Sequence, residues 1–207
     1  QFVERYFVVK DGAFAKVIGD FKSKARRMEF FEMIETISIQ RKRKDVMKWL
    51  PPKQYQEVKL EMDKRQRKVY DQMFHTFEVE DTEVDAPTVL AQLTRLRQLA
   101  LAPSSLEVKA PSIKEKFVLE WIENNPKEAV VIFSNFSTYL KTLQKDVQGS
   151  LILTGTNTPL ERQKAVQDFQ SGKSNVLFAN IQAGGVGLTL DRAGTIIFLD
   201  RAYEPTL

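Results

Sequence analysis

From Ser112 onward the chain alternates short apolar runs with amphipathic stretches. Ile113, Phe117 and Trp121, joined by Val118 and Ile122, recur at the spacing of one helix face. Ser112 and Glu115 open that helix as a capping box, and Asn124-Asn125-Pro126 ends it. Ala129 to Phe133 (A-V-V-I-F) is an unbroken apolar run, the pattern of a strand covered on both faces. Ser137 to about Val147 reads as a helix with Leu140 and Leu143 inward, and Ser150 to Thr154 as a second strand. Thr158-Pro159-Leu160-Glu161 starts another helix, whose buried face is Ala165, Val166 and Phe169. Val176 to Ala179 and Ile196 to Leu199 are two further strands. Strands alternating with helices in this way predict a parallel α/β sheet with right-handed crossovers. Ligands on such sheets bind at the carboxyl ends of the strands. Here those ends are the loops after Phe133, Thr154, Ala179 and Asp200.

Before about residue 110 the texture is charged, interrupted and mostly helical. Phe2 to Val9 reads as a strand or an extended arm, and Gly12 and Gly19 flank a hairpin-like piece. Arg26 to Ile37 reads as a helix. Val58, Leu60 and Met62 alternate with Lys59 and Glu61, a strand pattern. Asp63 caps a helix in which Val69, Met73 and Phe77 share a face with Tyr70 and Phe74. Glu78 to Pro87 is an acidic loop, and Val89 to Leu101 a helix with Leu93 and Leu96 inward. The chain has no internal repeat and no low-complexity tract.

Composition narrows the chemistry. At 207 residues and 43% hydrophobic, the chain can bury a core as one large domain, or a domain plus an arm. No apolar run approaches the roughly 20 residues that span a bilayer. The start, Q-F-V-E-R-Y-F-V-V-K, does not have the order of a secretory signal. There is no cysteine, so disulfides, thiolate zinc sites and cysteine nucleophiles are excluded within this sequence, which fits a reducing cytoplasm. A single histidine, His75, builds no histidine metal site, and no metal site is expected. Residues 1–80 carry 18 Lys+Arg against 13 Asp+Glu, whereas residues 81–207 carry 13 against 14. The basic character therefore sits in the first 80 residues. It suits a nucleic-acid partner and equally suits a solvated helical surface.

The densest motif is N-I-Q-A-G-G-V-G-L-T-L, Asn180 to Leu190. Gly184, Gly185 and Gly187 let the backbone turn sharply and expose N–H groups. At the end of a strand, such a loop can cradle a phosphate or serve as a tight strand-to-helix turn. Gly172-Lys173-Ser174 imitates the end of a Walker A loop. The position five before Gly172 is Gln167, however, and the tripeptide precedes a strand where it should open a helix, so it reads as a turn. No Walker A sequence and no D-E-x-H box occur.

Four segments in order resemble the C-terminal half of SWI/SNF-like ATPases of the second helicase superfamily. R-K-R-K-D-V-M-K-W-L-P-P-K (Arg41 to Lys53) is similar to the basic segment that joins that family's two motor lobes. D-K-R-Q-R-K-V-Y (Asp63 to Tyr70) is similar to its Q-x-x-x-Y helix, and L-T-R-L-R-Q-L-A-L-A-P-S-S-L (Leu93 to Leu106) to its L-x-x-L-R-Q helix. V-V-I-F-S-N-F (Val130 to Phe136) resembles motif IV, and Leu153 to Gly172 the segment that follows it. The glycine loop resembles motif V. F-L-D-R-A-Y-E-P (Phe198 to Pro205) resembles its trailing strand and turn, in wording nearer to bacterial or phage members than to chromatin remodellers.

The resemblance implies a RecA-like parallel sheet flanked by helices, preceded by a mostly helical linker. Residues 1–50 would be the linker and the end of a first lobe. Residues 51–207 would be the second lobe, with a helical portion at 51–110 and a parallel α/β core at 111–207 that stops before motif VI. It implies a parent that hydrolyses ATP with magnesium and tracks along duplex DNA by its phosphate backbone, with an N-terminal RecA-like lobe in cis and a cytoplasmic, nucleoid-associated setting. Lacking Walker A and motif VI, the chain alone would hydrolyse no ATP. The DNA contacts implied are Ser134, Asn135, Thr154, Gly155, Gln182, Ala183, Gly184, Gly185, Val186, Gly187 and Thr189. Gly185, Gly187 and Asp200 would approach nucleotide, and Arg201 would face the cleft between lobes as a catalytic group. Arg41, Lys42, Arg43 and Lys44 would link the lobes. Arg97 is read as tying its helix to the sheet, and Trp49 and Trp121 as core. Two other readings stay open: a non-catalytic nucleic-acid-binding module, and an RNA-directed helicase lobe.

Overall fold

The computed structural model describes residues 2–12, 15–39, 53–184 and 188–201. The basic segment Arg41 to Lys44, Trp49, and loop residues Gly185, Val186 and Gly187 therefore lie outside the described residues. The chain divides into two compact units, Gln1–Glu57 and Val58–Leu207.

In the first unit, α1 (Phe2–Tyr6) leads into an antiparallel hairpin of β1 (Phe7–Asp11) and β2 (Lys16–Phe21), followed by α2 (Lys24–Ile37). The arm read at Phe2 to Val9 thus begins as a helical turn and becomes the first hairpin strand. A Cβ on Gly12 would lie 2.7 Å from the Ala15 carbonyl oxygen, so the end of β1 needs glycine. Ser23 caps α2 by accepting from the Arg26 N–H at 3.2 Å. The unit is held by rings, with Tyr6, Phe7, Phe21 and Phe31 all within 6 Å of Phe30 between centroids. Glu29 accepts from Arg5 and Arg26, and the Arg26 bond is the leading cause that lowers its pKa.

The second unit opens with a correction. Residues 53–63 form no strand: Leu60 and Met62 are half-buried and Val58 is exposed, so the alternation in burial is partly real. Among the described residues no neighbouring strand supplies a ladder, and an unpaired segment satisfies no backbone groups that way. Asp63 then caps α3 (Lys64–Thr76), accepting from the Arg65 N–H at 2.8 Å. Thr88 caps α4 (Val89–Leu101), and a 3₁₀ turn covers Pro103–Leu106. Met73, Leu96 and Leu99 form a small core between α3 and α4. Leu93, expected inward, is 46% exposed, because the face turned to α3 is set by Gln92, Leu96 and Leu99.

Two buried glutamines fasten these helices. Gln66 donates to the Leu99 carbonyl at 2.9 Å and accepts from the Ile113 N–H at 3.2 Å, joining three helix ends. Gln92 donates to the Met73 and Phe74 carbonyls at 3.0 and 2.9 Å. Each satisfies groups that a helix terminus leaves open.

The sheet follows, as α5 (Ile113–Asn124), β3 (Val130–Ser134), α6 (Ser137–Asp146), β4 (Leu151–Leu153), α7 (Pro159–Gln170), β5 (Val176–Asn180), α8 (Ile181–Gly184) and β6 (Thr195–Phe198). Its order is β4-β5-β3-β6, with every pairing parallel. β3 and β5 are buried at every position, which is why their sequences are continuous apolar runs. Val130, Ile132, Val176 and Phe178 face a core with Val118 of α5 and Tyr139, Leu140 and Leu143 of α6. Val131, Phe133, Leu177 and Ala179 face the other side, with Phe169, Ala165 and Val166 of α7.

Local signals set the helix ends here too. Thr158 and Glu161 make a reciprocal capping box on α7, and hydrogen bonds to Thr158 lower the Glu161 pKa. At α5 only half of the expected box forms. Ser112 accepts from the Glu115 N–H, while its hydroxyl donates to the Leu101 carbonyl at 2.5 Å. Gly172, at φ +80°, turns the chain from α7 toward β5, and Lys173 pairs with Asp168 at 2.5 Å.

Candidate functional site

Parallel strands aligned in register bring their C-terminal ends to one edge. Ser134 pairs with Asn180 at the ends of β3 and β5, and Phe133 with Phe198 of β6. The next residues along each chain meet there.

Asp200 is the hub of that edge. Its side chain is only 7% exposed. It accepts from the Ser134 hydroxyl at 2.5 Å, the Asn135 side-chain amide at 2.5 Å, and the Asn135 backbone N–H at 3.1 Å. Arg97, reaching from α4, is 3.3 Å away and also donates to the Arg201 carbonyl. Lys114 of α5 donates to the Leu199 carbonyl at 2.6 Å. Burial lowers the Lys114 pKa; nearby Asp200 opposes that shift and Arg97 adds to it. A buried carboxylate is tolerated here because donors and cations surround it.

The other predicted residues fall into two sets. Ser134 is fully buried, and its hydroxyl is committed to Asp200 while accepting from the Phe136 N–H at 3.1 Å. Thr154 is also buried, bonded to Thr156 at 2.9 Å and to Asn157, whose side chain accepts from the Thr154 N–H at 2.6 Å. Ala183 is buried, and its carbonyl accepts from Arg162 of α7. Gly155, Gln182 and Arg201 are exposed just beyond the ends of β4, β5 and β6, and Asn135 is half-buried beyond β3; Thr189 is exposed too, but it leads into residues 190–194, which bond beside the starts of β3 and β5. A Cβ on Gly155 would meet nothing within 4 Å, so this loop is open to an approaching ligand.

Residues 113–207 match the family description of the helicase conserved C-terminal domain. An uncharacterized ATP-dependent helicase of Mycoplasma genitalium is 27% identical over 176 residues, which are 78% of this chain and 17% of that protein. The SNF2 domain-containing protein ENL1 of Oryza sativa subsp. japonica is 34% identical over 102 residues, 46% of this chain and 10% of the relative. The fold is similar to the SWI2/SNF2 ATPase C-terminal domain of Sulfolobus solfataricus, with TM-score 0.56, 22% identity, and 70% and 71% of the two chains covered. Residues 113–207 are thus similar to helicase C-terminal domains, and the fold is similar to that of SWI2/SNF2 ATPase C-terminal domains. The chain spans 17% and 10% of the lengths of these two curated relatives.

Several residues that position the lobe's strand ends carry little signal in the sequence. Asn180 is buried; it donates to the Asn135 carbonyl at 2.8 Å and to the Ser137 hydroxyl at 3.0 Å, and accepts from the Gln182 N–H at 3.0 Å. A polar residue ending an otherwise apolar strand is the one cue to it. Arg192 donates to the Ser174 carbonyl at 2.9 Å and the Asn175 side chain at 2.5 Å, and lies over the Phe169 ring. It locks the turn before β5. Among the described residues no three His, Cys, Asp or Glu side chains gather to hold a metal ion. No described helix is long and apolar enough to cross a membrane.

Proposed function

We propose that this chain is the second motor lobe of an ATP-dependent DNA translocase or helicase. The observation that carries the reading is the set of exposed residues two or three positions beyond the C-terminal ends of β4, β5 and β6: Gly155, Gln182 and Arg201. An open glycine backbone, a side-chain amide and a guanidinium suit a phosphate backbone, which they contact without reading sequence. The similar proteins, by name an ATP-dependent helicase and an SNF2 domain protein, support the same class.

In this reading a first RecA-like lobe in the same protein binds ATP and magnesium. Asp200 does not serve as a magnesium ligand in it, because its carboxylate already faces Ser134, Asn135 and Arg97. Arg201, exposed at the strand edge, faces the cleft between lobes. The lobe's own work is to grip one strand of duplex DNA and be carried along as the cleft closes and opens. Contact through phosphates makes the affinity fall steeply with salt. The setting is cytoplasmic.

The test is ATP hydrolysis by the full-length protein with no nucleic acid, duplex DNA, single-stranded DNA or RNA. Strong stimulation by duplex DNA is expected. Stimulation by RNA alone, or no hydrolysis under any condition, would overturn the reading. The 207-residue chain by itself is expected to hydrolyse no ATP.

A further inference from the structure

The bonds at the strand ends join into one chain. Arg97 on α4 holds Asp200 at 3.3 Å. Asp200 accepts from the Asn135 side chain and backbone N–H. The Asn135 carbonyl accepts from Asn180 at 2.8 Å. The Asn180 side-chain oxygen accepts from the Gln182 N–H at 3.0 Å, where the glycine loop begins. The path crosses β6, β3 and β5 in turn, and no water is needed to complete it.

We propose that Asp200, Asn135 and Asn180 form a positioning relay, through which the grip of Arg97 on the end of β6 sets the backbone at the start of the glycine loop. Each asparagine uses opposite faces for its two links. Asn135 donates toward β6 and accepts from β5, and Asn180 donates toward β3 and accepts from α8. A shift of the Asp200 carboxylate therefore moves Asn135 through its N–H and side chain, and the Asn135 carbonyl, on the next peptide, passes the shift to Asn180. Burial favours this at Asp200 and Asn180, each 7% exposed, where water does not cheaply replace a lost partner. Arg97 also donates to the Arg201 carbonyl, so the residue at the cleft and the start of the loop share one anchor. The competing account is three independent strand-end caps, each purely local.

The consequence for DNA stimulation rests on the motor reading above, but the relay itself can be tested without it. Amide hydrogen exchange is measured on the 207-residue chain, with Arg97→Gln and the conservative Arg97→Lys. Exchange at the Gln182 N–H, which Arg97 does not touch, should rise about tenfold in Arg97→Gln and recover in Arg97→Lys. The Ile132 and Phe178 amides, inside β3 and β5, should stay unchanged. If Asn135 responds while Gln182 does not, the relay is overturned, whatever the protein's activity. In the full-length protein, Arg97→Gln and Asn180→Asp should each lower the stimulation of ATP turnover by duplex DNA, with a double variant no worse than the poorer single. Additive losses would refute the coupling. Absence of stimulation in the wild type would sink the motor reading, and the exchange data would still decide the relay.

Discussion

Replacing Asp200 by alanine tests the strand-end hub directly. The substitution leaves the fully buried Ser134 hydroxyl, the half-buried Asn135 N–H and side-chain amide, and the Arg97 guanidinium facing a void. A buried donor left without a partner costs about 1–3 kcal/mol. Removing one member of a buried ion pair costs about 3–5 kcal/mol, because the remaining charge stays desolvated. These contributions share partners and do not add, and Asn135 and Arg97 can recover some water. The expected loss is therefore about 3–5 kcal/mol for Asp200→Ala. Asp200→Asn keeps the volume and one acceptor but loses the charge facing Arg97 and Lys114, and should cost about 2 kcal/mol. Urea unfolding of the chain followed by circular dichroism gives the answer. With a slope of about 2 kcal/mol per molar, the alanine variant's midpoint falls by roughly 2 M. A loss below about 1 kcal/mol would show that the carboxylate is not the hub described. If Asp200→Asn were as stable as the wild type while the full-length protein lost ATP affinity, Asp200 would instead face nucleotide.

Three further outcomes follow from other sites. Gln66→Leu strands the Ile113 N–H and the Leu99 carbonyl, and should lower stability by about 1–2 kcal/mol in the same urea assay, with no change expected in the hairpin unit's spectrum. Thr158→Ala removes the capping box of α7 and should cost about 1 kcal/mol; an unchanged midpoint would mean that packing alone holds that helix start. Burial raises the Glu115 pKa, and Asp146 raises it further, so the folded chain holds that proton more tightly than the unfolded one. The associated stability is present below the ordinary carboxylate range and is lost as pH rises through the raised value. Glu115→Gln should thus raise the thermal midpoint at pH 7 relative to wild type, with the advantage shrinking toward pH 4, and an advantage independent of pH would refute the cause.

Sequence alone determined the elements whose signals are local. The apolar runs of β3 and β5, the caps at Asp63 and Thr158, and the glycine turn at Gly172 depend on residues within a few positions of one another. From the order of strands and helices, the parallel sheet and the edge formed by its strand ends followed as well. Tertiary structure decided what each polar residue at that edge does. Ser134 and Thr154 read as equally available donors in sequence, yet both are buried and internally bonded, whereas Gly155 and Gln182 are open. The Val58 to Met62 alternation promised a strand that, among the described residues, has no neighbour to pair with. Asp200 meets Asn135 across 65 positions and Arg97 across 103. Periodicity records which face of an element is buried, since burial is a property of the element's own surface. It holds no record of which donor lies opposite which acceptor, because that depends on strand order and register, which form only when distant segments pack together.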